Sequence, residues 1–133
     1  MVGQHFGAAA HILAQIARAD GNLRVIEEFV AQKPWLGFLA QSKETRSNTS
    51  VCLTFTDPAV TALDGEGQAA FAKGVVAALE KEGVAFDIGH YRDAPAGLRI
   101  WAGATVEKSD LQALMPWLEW AFNAQKAALK QAA

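Results

Sequence analysis

No disulfide can form within this chain, because Cys52 is its one cysteine. A reducing, cytoplasmic setting is the expectation that follows. Charge of one sign is missing too: 12 Lys and Arg stand against 14 Asp and Glu, a net charge of −2. Without a basic field the chain has no electrostatic footprint for nucleic acid or for an anionic membrane surface. No run approaches the ~20 apolar residues of a membrane-spanning helix. No Lys/Arg-rich segment followed by an apolar core marks a secretory leader. His5, His11 and His90 together with one cysteine have no zinc-ligand spacing, which excludes the common metal sites. A phosphate-cradling glycine motif of the P-loop or dinucleotide kind is absent as well. The two carboxylates in Asp64-Gly-Glu-Gly67 read as first-turn helix charges.

What is present is an ordinary globular composition, 51% hydrophobic and 20% charged over 133 residues, enough for one domain with a real core. Phe6, Ala10, Leu13 and Ile16 recur at helical spacing, and Leu23, Ile26, Phe29 and Val30 repeat the pattern after Asp20-Gly21-Asn22. That spacing predicts two helices. Pro34 ends or re-starts the second, and Pro34 to Leu39 reads as a short apolar helical turn. Beyond a polar connector, Thr49–Thr56 alternates Val51, Leu53 and Phe55 as a half-buried strand does, with Cys52 read as a core residue. Gly67–Glu82 reads as a helix with Phe71, Val75, Ala78 and Leu79 on one face, capped by Gly83. Val84–Ile88 and Leu98–Ala102 read as two further strands. A last helix starts near Lys108, buries Leu111, Leu114, Leu118 and Phe122, and passes through Pro116 with a bend. The predicted fold class is α+β: two N-terminal helices, then a three-stranded, mainly antiparallel sheet with helices packed on one face. Residues 1–40 form the entry helices and 41–133 the α+β domain, one structural unit overall.

The chemistry concentrates between Gly89 and Arg99. Gly89-His-Tyr-Arg-Asp-Ala-Pro-Ala-Gly-Leu-Arg99 sets His90, Arg92 and Arg99 around a turn shaped by two glycines and a proline. Arginine forks match carboxylate and phosphate bidentately. The strand alternation puts Leu98 and Ile100 on one face and Arg99 with Trp101 on the other. Two readings of Arg99 stay open on spacing alone: a carboxylate clamp at the end of a sheet, or a surface arginine lying over Trp101. For Arg92, pairing with Asp93 or Asp87 is the plain alternative to anion capture.

These residues carry a resemblance. Arg46-Ser-Asn-Thr-Ser-Val-Cys52, Ala62-Leu-Asp64, Asp87 through Thr105 and Leu114-Met-Pro-Trp-Leu-Glu-Trp-Ala-Phe122 resemble the C-terminal small domain of the phosphoserine aminotransferase family. Ile16 to Ile26 resembles the long helix that joins the two domains of those pyridoxal-phosphate-dependent enzymes. The resemblance implies an aminotransferase small-domain fold and a part in serine biosynthesis, with glutamate passing its amino group to 3-phosphohydroxypyruvate. It implies that Arg99 grips the substrate α-carboxylate and that His90 helps hold the substrate phosphate. Arg92, separated from His90 by Tyr91, is the nearest match to a second phosphate ligand.

The family's cofactor lysine belongs to a large domain preceding the part matched here. The lysines of this chain lie on polar helical faces, in the connector or in the tail, whereas a Schiff-base lysine must be desolvated or pressed by charge. The expectation is therefore a chain that has no catalytic residue of its own, binds neither pyridoxal 5'-phosphate nor a metal, and is inactive alone. Its partners would be a small anionic amino acid of the phosphoserine or glutamate type and the missing large domain or a second subunit. Self-association is expected through apolar surface, with Phe6, Trp35, Phe38 and Trp117 as candidates. The alternative from another class is a free-standing, non-catalytic α+β module that binds a small anionic amino acid or dimerises.

Overall fold

The computed structural model describes residues 2–40, 42, 46–90 and 93–132, with no side-chain description for 2–8 and 132. Helix α1 spans Val2–Gln32, strand β1 Leu36–Phe38 and strand β2 Ser50–Phe55. A short helix α2 (Pro58–Thr61), helix α3 (Gly65–Lys81), strand β3 (Leu98–Trp101) and helix α4 (Lys108–Ala132) follow. The sheet is antiparallel throughout, ordered β1-β2-β3, so the α+β class with a three-stranded antiparallel sheet holds.

Three elements differ from the sequence reading. The predicted pair of N-terminal helices is one helix, because Asp20 and Asn22 use their side chains outward instead of turning the chain. Asn22 is only 2% exposed, and its Nδ2 donates to the carbonyls of Ala102, Gly103 and Val106. Asp20 Oδ1 accepts from Asn48 Nδ2 at 2.9 Å. These bonds, with Arg18 Nε on the Ala104 carbonyl at 2.8 Å, outweigh the tendency of such residues to form turns.

The expected helical turn at Pro34–Leu39 is strand β1. Pro34 removes the amide a helix would need, while the edge of β2 offers a ladder: Thr56 N donates to Trp35 O at 2.8 Å and Leu39 N to Cys52 O at 3.0 Å. The expected strand Val84–Ile88 shrinks to one bridge, Gly89 with Leu98. Val84 is committed to the end of α3, where Gly83 at φ 69° closes a paired cap: Gly83 N donates to Glu80 O and Val84 N to Leu79 O, both at 2.9 Å. Asp87 then turns the chain at φ 57°, leaving too little extended backbone for a strand.

One face of the sheet meets the helices. Val51, Leu53, Phe55, Leu98 and Ile100 are buried against Phe71, Val75 and Leu79 of α3 and Leu118 and Phe122 of α4. Trp35, expected at an exposed patch, is instead core. It stacks on Phe122 with ring centroids 4.1 Å apart, and Phe29 meets it edge-on at 5.9 Å. Asp64 caps α3 through Gly67 N at 2.7 Å. Asp57 caps α2 through Ala59 N and also accepts from Lys126 Nζ on α4 at 2.8 Å, tying the end of β2 to the last helix. Helix α4 runs through Pro116 without interruption. Among the described residues no helix is long and apolar enough to cross a membrane.

Candidate functional site

The opposite face of the sheet is partly exposed. Alternation along β2 and β3 puts Ser50, Cys52, Thr54 and Arg99 there half-buried, and Trp101 there exposed. Cys52, expected in the core, therefore lies on this face, directly across from Arg99 in the β2–β3 register. Together with Arg46, Ser47 and Ser50 it lines a cleft of about 250 Å³. The Arg46 guanidinium is engaged structurally: Nε donates to Ala40 O at 2.9 Å, Nη1 lies 3.4 Å from Glu27, and its plane sits 3.9 Å from the Phe38 ring centroid.

Arg99 is anchored through its backbone, with its amide donating to Ile88 O at 2.8 Å. Its side chain is 20% exposed, and Nη2 lies 3.8 Å from Asp87 Oδ1. A planar guanidinium in a partly buried setting has the fork geometry by which carboxylates are recognised.

His90 closes the same loop from the other side. Its Nδ1 lies 3.2 Å from the Gly97 carbonyl oxygen and 3.4 Å from the Gly97 amide nitrogen. Two neutral states fit. Nδ1–H donating to the carbonyl leaves Nε2 an acceptor, whereas Nδ1 accepting from the amide leaves Nε2–H free to donate to an anion. The imidazolium would donate at both positions. His90 also lines a cleft of about 510 Å³ with Gly89 and the α3 residues Ala69, Ala72, Lys73, Val76, Ala77 and Glu80. Lys73 is thus a cation that the sequence reading passed over. The clue available was its spacing, since Ala69, Lys73 and Ala77 recur every fourth residue on one side of α3.

The Gly89–Leu98 bridge therefore separates the Ile88–Arg99 rung on one side from the His90–Gly97 contact on the other, and Arg99 is not among the residues that line the His90 cleft. Arg92 and Tyr91 lie outside the described residues. Asp87 is a neighbour of Arg99 that the sequence reading weighed only as a partner for Arg92. Among the described residues no group of three or more His, Cys, Asp or Glu is placed to hold a metal.

A cofactor aldehyde would need a desolvated lysine. Lys33 is paired with Glu119 and Lys126 with Asp57, while Lys73, Lys81, Lys108 and Lys130 are exposed. The described residues do not build a pyridoxal phosphate site.

A phosphoserine aminotransferase of Methanosarcina barkeri (strain Fusaro / DSM 804) is 53% identical to this chain over 111 residues, 84% of the chain and 27% of that relative. The chain is homologous to phosphoserine aminotransferases. The Methanosarcina mazei (strain ATCC BAA-159 / DSM 3647 / Goe1 / Go1 / JCM 11833 / OCM 88) phosphoserine aminotransferase is 50% identical over the same length. The chain thus spans about a quarter of the length of the relatives it matches, consistent with a C-terminal small domain. Among solved structures, the phosphoserine aminotransferase from Bacillus circulans subsp. alkalophilus superimposes with a TM-score of 0.62 over 80% of this chain and 26% of that one. At 17% identity that match shows the fold. No protein-family profile matches the chain.

Proposed function

We propose that this chain is the substrate-anion half of a phosphoserine aminotransferase active site whose cofactor-holding half lies outside it. Arg99 takes the α-carboxylate of the amino-acid substrate, and His90 and Arg92 take the phosphate. The reaction is transamination between glutamate and 3-phosphohydroxypyruvate. Pyridoxal phosphate, implied by the family for the full-length enzyme, would supply the electron sink for amino transfer. The part of this chain is to bind and orient, a contribution that lowers the entropic barrier without moving a proton. Alone it is inactive.

The observation that carries this reading is Arg99 itself: a half-buried guanidinium on the sheet face away from the core, one rung from the bridge that begins the His90 loop, in a chain half identical to phosphoserine aminotransferases. The missing large domain as partner is supported by α1. Residues 9–18 are all exposed, and they include the apolar Ile12, Leu13 and Ile16. Arg18 ties the end of this segment to the Ala104 carbonyl, but a helix segment whose apolar side chains stay exposed is marginal in water, so Ile12, Leu13 and Ile16 call for a covering surface. That weighs against a self-sufficient module.

The test is titration of O-phospho-L-serine into the wild-type chain and Arg99→Ala, followed by amide and guanidinium NMR shifts. Binding by wild type that is lost in Arg99→Ala is the expected outcome. Equal binding by both would overturn the carboxylate assignment.

A further inference from the structure

Asp87 combines two properties that ordinary loop residues do not share. Among the described residues it is the one non-glycine with a positive φ, 57°, a region that costs an L-residue energy and that Asp tolerates better than most. Its side chain is also 93% exposed, so no packing explains that conformation. What the left-handed turn achieves is placement. Ile88 is buried and accepts the Arg99 amide, which fixes the rung. Asp87, one residue earlier, then swings its carboxylate to 3.8 Å from Arg99 Nη2.

Resting on the reading of Arg99 given above, we propose that Asp87 is a built-in competitor for the carboxylate site. It is a positioning residue that holds and charge-compensates the Arg99 guanidinium until a substrate carboxylate replaces it. The geometry suits a placeholder. A pair at 3.8 Å whose carboxylate is almost fully solvated is weak, while an incoming carboxylate can take the guanidinium fork bidentately. The incoming carboxylate wins on geometry, yet it must work against the resident charge. Asp87 therefore sets how tightly the site holds any carboxylate and keeps weak monoanions out.

The experiment is NMR titration of O-phospho-L-serine into wild type, Asp87→Asn, Asp87→Gly and Arg99→Ala, at about 0.01 M and about 1 M salt. Asn and Gly both accept a left-handed backbone, so the turn survives in both variants, and thermal unfolding checks this. Removal of the carboxylate is expected to tighten binding about two- to fivefold at low salt. The gain should vanish at high salt, where the Debye length falls to about 3 Å. Weaker binding in the Asn variant, or a gain that persists unchanged at about 1 M salt, overturns the proposal. Equal affinity in wild type and Asp87→Asn, with binding still lost in Arg99→Ala, overturns the role of Asp87 and leaves that of Arg99 standing. Binding indifferent to Arg99 overturns both.

Discussion

Replacing Gly97 by alanine would strike the point where the site is bolted to the sheet. Gly97 is not in a left-handed conformation, so its need for glycine is steric. A β-carbon there would fall far inside contact distance of the Leu53 carbonyl oxygen, 3.1 Å from Leu53 C and 3.4 Å from Thr54 Cα. All three are backbone atoms of the central strand, so no side chain can swing away. Relief requires β3 to retreat from β2 at the Leu53–Leu98 rung, weakening that pairing and the hold of His90 on Gly97. Overpacking of a fixed backbone costs about 1–3 kcal/mol, and each ladder or clamp bond lost adds about 1 kcal/mol.

The expected destabilisation of Gly97→Ala is therefore about 3–4 kcal/mol, a fall in Tm of about 10–15 °C for a domain of this size. Thermal and urea unfolding followed by circular dichroism measure it. Gly89→Ala is the matched control. Gly89 pairs with Leu98 across the same bridge, yet nothing lies within 4 Å of its would-be β-carbon. There the loss of unfolded-state freedom should dominate, giving no change or a gain of about 0.4–1 kcal/mol. If Gly97→Ala cost less than about 1 kcal/mol, or if the two variants behaved alike, the close approach of β3 to β2 would be refuted.

Gly21→Ala, in the interior of α1 with no atom within 4 Å of its would-be β-carbon, should stabilise the protein by about 0.5–1 kcal/mol in urea unfolding; a loss would mean that α1 is broken at Asp20–Asn22 after all. Asn22→Ala leaves the carbonyls of Ala102, Gly103 and Val106 without that donor in a buried corner and should cost about 1–3 kcal/mol by the same assay. Asp57 is held below the usual carboxylate range, chiefly by its hydrogen bond from Lys126. A depressed folded-state pKa gives stability that is present above the unfolded value and lost as pH falls through the folded one. Asp57→Asn keeps a good N-cap and should unfold at lower urea than wild type at pH 7, the gap closing on acidification below about pH 4; a gap independent of pH would show that the carboxylate charge is not what matters.

The architecture was legible wherever the signal was local. Period-two alternation in Val51, Leu53 and Phe55 and in Leu98 and Ile100 marks the buried face of the sheet, and the same alternation sends Arg99 to the other face. The α3 and α4 stripes and the cap at Gly83 were equally plain. Cys52 was misread although its place in the alternation was visible, because apolar neighbours suggested burial on both faces. The errors at α1 and β1 share a cause. Asp20-Gly-Asn22 and the segment after Pro34 are weak in local preference, and long-range bonds decided each: Asn22 to the 102–106 loop, Trp35 and Leu39 to β2. Tertiary contacts override propensity most easily where propensity is small.

The site was half legible for the same reason. That a glycine- and proline-shaped turn presents His90 and Arg99 follows from composition, and a bidentate donor half-buried in such a turn is a sound guess at an anion ligand. Which neighbours surround each cation does not follow, because it depends on contacts across elements. Lys73 joins His90 only because α3 lies along the turn, and Asp87 meets Arg99 only because Ile88 is pulled into the core and the chain reverses at a left-handed residue. A left-handed aspartate has no signature in a single sequence, since Asp is equally at home at caps and turns. Yet it is this neighbour that, in the role proposed for it, controls the charge at Arg99. An Arg99 alone would present a full positive charge to any small anion, whereas an Arg99 facing a solvated carboxylate yields chiefly to a ligand able to grip it at two points. On the proposed role of Arg99, selectivity at this turn therefore lies in the pair, not in the arginine by itself.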